Sequence, residues 1–271
     1  MTSPRARETP DASDALEVTW LGHASTVLDL DGVRVLTDPL LRRHAGLLRR
    51  RGAAPAAGSW AAPDAVLVSH LHHDHAELGS LRLTDPAPVV AAPANAAWLR
   101  RHGVPPAVGL RDGDWWRVPG SDVRVRSTPA VHGDRPMPHR PDAANGFLVA
   151  GRSATVWFAG DTELFPALSG LAELSPGGVD LALVPVGGWG PRLSGGHLDP
   201  VQAARACAQV GARYAVPVHW GTLHAPAARR LPPGWMDRAG PAFAVAVQRW
   251  APGCTALVLE PGQRVRVPRR R

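Results

Sequence analysis

The chain has 271 residues, 45% of them apolar and 20% charged, which at about 150 residues per domain makes one large domain or two small ones with room for a full core. Two cysteines, Cys207 and Cys254, exclude a disulfide scaffold and a four-cysteine zinc ribbon, and no apolar run of about 18 residues is present to span a membrane. The net charge of +7 comes wholly from arginine. Because Ala, Arg, Gly and Pro are overused together, it reads as compositional drift before it reads as a nucleic-acid surface.

Residues 1–15 are polar and proline-interrupted, predicting a disordered leader without the apolar core of a secretion signal, so a cytoplasmic protein is expected. Residues 16–268 predict a single domain of packed layers. The first strand lies near Glu17–Leu21. Apolar runs Thr26–Leu30 and Val33–Leu36 flank Asp31-Gly32, the signature of a tight hairpin. In 40–51 the unit Leu-Leu-Arg-Arg repeats after seven residues, which predicts a helix with an apolar and a basic face. Such a helix is a lid, a peripheral contact for an anionic membrane, or ordinary packing. Ala65–Val68 is a buried strand that runs into Ser69-His70-Leu71-His72-His73-Asp74-His75. Val89–Ala92 reads as a strand, and Pro93–His102 as a helix stopped by Gly103. Val123–Arg126, Ala154–Ala159, Leu181–Val186 and Tyr214–Val218 are further strands. Asp199-Pro200 opens a helix that Gly211 closes.

Four of these strands end in a histidine or an aspartate: His70, His132, Asp161 and His219. Ligands of open α/β sheets gather outside the carboxyl ends of strands, so one edge would collect imidazoles and carboxylates, a set suited to zinc, iron or manganese. His70 and His72 are two apart and point the same way in extended chain, able to share an ion. Asp74 and His75 follow and can serve a second. His73 would point away, toward the rim.

This pattern resembles the metallo-β-lactamase superfamily. The resemblance rests on His70-x-His72-x-Asp74-His75 followed in order by His132, Asp161 and His219, and covers about residues 17–260. It implies an α/β fold, an αββα sandwich of two mixed sheets with helices on the outer faces. It further implies one divalent ion on His70, His72 and His132, a second on Asp74, His75 and His219, and Asp161 bridging them, with zinc expected and manganese or iron as alternatives. Trp20-Leu21-Gly22-His23-Ala24-Ser25, Leu36-Thr37-Asp38-Pro39, Asp114-Trp115-Trp116, Phe158-Ala159-Gly160-Asp161-Thr162 and Val218-His219-Trp220-Gly221-Thr222 are similar to a branch containing N-acyl-phosphatidylethanolamine phospholipase D and bacterial ascorbate-6-phosphate lactonases. His197 matches a substrate-pocket histidine of that branch.

The expected activity is hydrolysis by a hydroxide held between two ions, on a phosphodiester such as a phospholipid; a small sugar-derived or phosphorylated lactone is the alternative, and a non-catalytic or redox metal protein the third reading. Asp74 would aim the hydroxide and His197 would donate a proton. Asp38 is expected to hold a ligand histidine from outside, and His23, Trp189, Trp220 and His224 to line the pocket or to support the ligands from behind. His44, His102 and His139 read as surface residues and Cys207 as a small core residue. A small-molecule or lipid substrate is the expected partner, and nucleic acid is not.

Overall fold

The computed structural model describes residues 16–104, 106–133, 139–175, 178–230 and 232–269; the leader expected over 1–15 lies outside them. In chain order the first half forms β1 (Leu16–Gly22), β2 (Ser25–Leu30), β3 (Val33–Thr37), β4 (His44–Ala45), β5 (Leu48–Arg50), α1 (Ala57–Trp60), β6 (Ala65–Leu67), α2 (Leu78–Arg82), β7 (Val89–Ala91), α3 (Pro93–Arg101) and β8 (Ala107–Gly109). The second half forms β9 (Trp115–Arg117), β10 (Arg124–Pro129), β11 (Asn145–Ala150), β12 (Thr155–Phe158), α4 (Gly170–Glu173) and β13 (Leu181–Pro185). It continues with α5 (Pro200–Gln209), β14 (Tyr214–Val218), β15 (Leu223–His224), α6 (Ala239–Trp250), β16 (Thr255–Ala256) and β17 (Arg264–Val267).

Two seven-stranded sheets result, in the orders β17-β1-β2-β3-β6-β7-β8 and β16-β14-β13-β12-β11-β10-β9. Both are mixed. The first is antiparallel from β17 to β3 and parallel from β3 to β8. The second is antiparallel from β9 to β12 and parallel from β12 to β16. The period of two along each strand assigns side chains to layers. In β11, Phe147 and Val149 join the core between the sheets, while Leu148 faces outward to pack with the helices. The outward face of the second sheet is covered by Ala203, Ala206 and Cys207 of α5 and Phe243 and Val247 of α6. The first sheet lays Val66 and Val89 against Leu81 of α2 and Trp98 and Leu99 of α3. The architecture is the expected four-layer αββα sandwich.

Local signals act where expected. Asp31 (φ +50°) and Gly32 (φ +81°) are both left-handed and close the β2–β3 hairpin in register Leu30 to Val33. Asp199 caps α5 by accepting from the Val201 and Gln202 amides, with Gln202 returning the bond to the Asp199 amide.

One expectation fails. Residues 40–51 are not helical: β4 and β5 form a short hairpin around Gly46 (φ +58°), and β5 pairs with β15. The heptad-like spacing is satisfied differently, because Leu40 and Leu41 sit in the body of the protein while Leu47 is 86% exposed at the hairpin tip. Arg50 decides the geometry. Its guanidinium is buried and donates to the carbonyls of Leu21 (2.8 Å) and Leu40 (2.5 Å), stapling the hairpin root to the end of β1. A helix would have no such anchors to offer.

Candidate metal centre

Each candidate ligand lies just beyond a strand. β6 stops at Leu67 and the chain turns through Ser69–His75; β10 leads to His132, β12 to Asp161, β14 to His219. Gly160 (φ +62°) makes the last approach possible, since a Cβ there would stand 2.7 Å from the Ser69 Cβ.

The side chains converge in two groups. In one, His70 Nε2 lies 2.9 Å from His72 Nδ1, which lies 3.1 Å from His132 Nε2. In the other, His75 Nε2 and His219 Nε2 are 3.0 Å apart, with Asp74 Oδ2 at 3.7 and 3.5 Å from them. Asp161 Oδ2 stands between the groups, 3.2 Å from both His75 and His219 and 4.0 Å from His70. The second oxygen of Asp161 is buried without a hydrogen-bond partner.

The outer contacts fix which nitrogen faces inward. His75 Nδ1 meets Asp38 Oδ2 at 2.7 Å, His219 Nδ1 the Gly187 carbonyl at 2.8 Å, and His132 Nδ1 the Gly196 carbonyl at 2.8 Å. His70 Nδ1 meets Ser69 Oγ at 3.0 Å, and that hydroxyl is committed to Asp38 Oδ2 at 2.6 Å. A carbonyl, carboxylate or already donating hydroxyl accepts a hydrogen bond, so all four rings direct Nδ1–H outward, and Nε2 is the nitrogen that faces the centre and offers its lone pair once any second proton has left. Lone pairs meeting at about 3 Å repel unless a cation lies among them. This donor set therefore fits a borderline divalent ion such as zinc, iron or manganese.

The field is that of a cation site. Burial would raise Asp161 and Asp74, yet the surrounding imidazoles hold both well below the usual carboxylate range. Burial would lower His75, yet Asp161, Asp74 and Asp38 raise it well above the ordinary histidine value. Burial lowers His70 strongly and His132 less so. His197 lies at the mouth with Nε2 3.3 Å from Asp161 Oδ2; that carboxylate overcomes desolvation and raises its basicity.

A cavity of about 470 Å³ opens over His72, Asp74, His132, Asp161 and His197. Its walls are the β4–β5 hairpin tip, Ala45–Leu48, and the loop after β13, Gly188–Gly195, with Trp189, Arg192 and Leu193. His73 is exposed at the rim, and Trp189 lines the cavity as expected.

The remaining expectations divide. Asp38 is fully buried behind the centre, its carboxylate also accepting from the Ser69 amide at 2.8 Å. Of the two places expected for His23, the structure gives the one behind a ligand: it is fully buried, away from the cavity, with Nε2 2.9 Å from Asp74 Oδ2. Burial, with His219 alongside, lowers its pKa to about 3. Trp220 and His224 do not line the cavity either. Trp220 stacks on Trp20 at 5.5 Å in the core, and His224 is buried in β15 opposite Arg49. Proximity in sequence to His219 does not decide direction: the Trp220 ring turns onto Trp20, and Gly221 (φ +64°) leads the chain on into β15, taking His224 with it. Sequence reasoning missed Ser69 and the hairpin tip. Ser69 was findable as the residue joining the strand to the histidine cluster; the tip depends on long-range pairing.

The profile described as the beta-lactamase superfamily domain matches residues 33–220. The chain belongs to the metallo-β-lactamase superfamily. Within it, the chain is 28% identical over 253 residues to a UPF0173 metal-dependent hydrolase of Methanopyrus kandleri, covering 92% of this chain and 98% of that one. It is 28% identical over 233 residues to an N-acyl-phosphatidylethanolamine-hydrolyzing phospholipase D of Caenorhabditis elegans, covering 78% of this chain and 65% of that enzyme. Among solved structures, Igni18, a metallo hydrolase from Ignicoccus hospitalis, superimposes with a TM-score of 0.70 at 22% identity over 93% of this chain and 98% of its own, which speaks for the fold. Among the described residues no helix is long and apolar enough to cross a membrane.

Proposed function

We propose that this superfamily member is a dinuclear metal-dependent hydrolase acting on a phosphodiester that carries an apolar group, as a phospholipid does. Its superfamily and donor cluster make it a metal-dependent hydrolase; the phosphodiester and the pair of ions go further. One observation carries the reading. Two inward-facing donor groups share Asp161 at the floor of a cavity whose walls are Leu47, Leu48, Trp189 and Leu193. His70, His72 and His132 would hold one ion, Asp74, His75 and His219 the other, with Asp161 common to both. Two divalent ions so held would supply a hydroxide at neutral pH and a clamp for substrate oxygens.

The chain's own groups do the rest. Asp74 would orient the attacking oxygen by accepting its one hydrogen bond, and Asp161 would set the spacing of the two donor groups. His197, kept basic by Asp161, holds a proton 3.3 Å from that carboxylate at the cavity mouth, placed to give it to the leaving oxygen. Arg192, on the wall, offers a fixed positive charge to a phosphate. The leucines and Trp189 exclude water and receive the apolar group. The relative from C. elegans acts on a phospholipid by its name, in keeping with such walls.

The test is a metal assay and a substrate panel on one preparation. Elemental analysis should give about two ions per chain, and the loaded protein should cleave bis-p-nitrophenyl phosphate and a phospholipid faster than a lactone series. Turnover of lactones alone would replace the phosphodiester reading; two ions without any turnover would leave a metal-holding protein.

A further inference from the structure

His23 sits against Asp74 but is unlike the histidines around it. Four of those rings have an oxygen behind Nδ1 that accepts its hydrogen bond and leaves Nε2 to face the centre. His23 has none: its Nδ1 is buried with no hydrogen-bond partner. Its Nε2 faces Asp74 Oδ2 at 2.9 Å, and an ionised carboxylate offers only lone pairs. Nε2 therefore carries a proton, pointing at Asp74, and Nδ1, with no partner, points away from the centre. Ligation through Nε2 would instead put the proton on Nδ1, where no acceptor meets it, and would leave Asp74 without its donor.

We propose that His23, although within ligand range of Asp74, His75 and His219, binds no ion and is the donor that positions Asp74. The fold spends effort on placing it. His23 is held at φ +53°, in the left-handed region that few residues other than glycine occupy, although histidine enters it more readily than most. Its amide donates to Thr222 Oγ1 at 2.7 Å. Its carbonyl accepts from the His219 amide at 2.9 Å and Trp20 Nε1 at 2.8 Å. The same peptide thus fixes both the donor to Asp74 and the backbone of His219. The ring packs 4.0 Å from His219, centroid to centroid, filling the space behind the Asp74–His219 pair.

The inference rests on the metal reading of this centre, and zinc binding separates the two. The full chain and its H23L, H23Q, D74N and H23L/D74N variants are stripped with a chelator and titrated with zinc against a chromophoric competitor. The wild type should take about two zinc ions; if it takes none, the metal reading itself falls. H23L should still saturate at two, with one dissociation constant weakened about 10- to 100-fold. H23Q, whose amide N–H reaches a similar position, should recover most of that loss. In the D74N background H23L should change little further, since the partner it positions is already altered. Saturation of H23L at one zinc would make His23 a ligand and overturn the proposal. So would unchanged constants in H23L, or a loss in H23Q as large as in H23L.

Discussion

Asp38 offers the sharpest perturbation, because three donors converge on it: the Ser69 amide on Oδ1 at 2.8 Å, and the Ser69 hydroxyl and His75 Nδ1 on Oδ2 at 2.6 and 2.7 Å. Asp38→Asn changes one oxygen into an NH₂. The Ser69 amide cannot reverse its N–H, so the Asn oxygen must stay there and the NH₂ must face His75 and the hydroxyl. The hydroxyl can rotate. His75 can only move its proton from Nδ1 to Nε2, which aims an N–H at the centre where a lone pair is needed. Relative to the wild type, the variant lacks the charge-assisted bond from His75 Nδ1–H to the Asp38 carboxylate that holds the ligand tautomer, a bond worth about 1.5–3 kcal/mol, equivalent to roughly 10- to 100-fold in affinity. Zinc competition titrations should therefore show one site weakened by that factor while circular dichroism stays unchanged. Both constants within twofold of wild type, in a folded Asp38→Asn protein, would refute the tautomer argument for the whole centre.

Further outcomes follow from the same geometry. In the ion-free chain, Asp161, Asp74 and Asp38 keep His75 protonated above the ordinary histidine range against the pull of burial, and an imidazole binds metal only after losing that proton. Zinc affinity should therefore rise with pH beyond 6.5, by up to about tenfold per unit for each proton released; a flat profile between pH 6 and 9 would contradict the assignment. Arg50→Ala strips two buried carbonyls of their donor and should cost about 2–4 kcal/mol, lowering Tm by roughly 5–10 °C. The exposed neighbour Arg51, paired with Asp237, should shift Tm little when changed to alanine. Leu47→Ser at the exposed hairpin tip should leave Tm unchanged and raise KM about 3- to 10-fold for a substrate with an alkyl chain, with kcat retained.

Much of this centre was legible in the chain because its parts are local. A strand end followed by His, or Gly-Asp, needs only the alternation of apolar residues to be recognised, and His70, His132, Asp161 and His219 were each placed by that rule. Asp38 was readable for the same reason, following β3. The hairpin of 44–50 was not. Its seven-residue repeat satisfies a helical period, and only the long-range acceptors of Arg50, the carbonyls of Leu21 and Leu40, together with pairing to Leu223 and His224, make the extended form win. Trp220 and His224 failed for a related cause. Nearness in sequence to His219 says nothing of direction: the Trp220 ring, one residue on, stacks on Trp20, and the left-handed Gly221 sends the chain to β15 before His224 is reached. A lone histidine such as His23 carries no sign of its burial, since nothing in Gly22-His23-Ala24 marks the contact with Asp74, 51 residues on.

Strain is concentrated where the chain meets the centre. His23, Asp38 and His219 all have positive φ, at +53°, +30° and +63°, and such backbone costs of order 1–3 kcal/mol per residue. Each is over-determined by contacts that serve the centre as well. Asp38 is clamped through its carboxylate, His23 through Thr222 and Trp20, and His219 through the amide bond to the His23 carbonyl and the ring bond to Gly187. For Asp38 and His219 the bonds that hold this backbone also choose a tautomer, of His75 and of His219 itself, and the His23 carbonyl ties the His219 amide to the same frame, so relaxing one residue would misdirect another's side chain. That coupling is why the centre behaves as a unit of the fold, with the β4–β5 hairpin tied into it through Arg50 and the end of β1, one residue before His23.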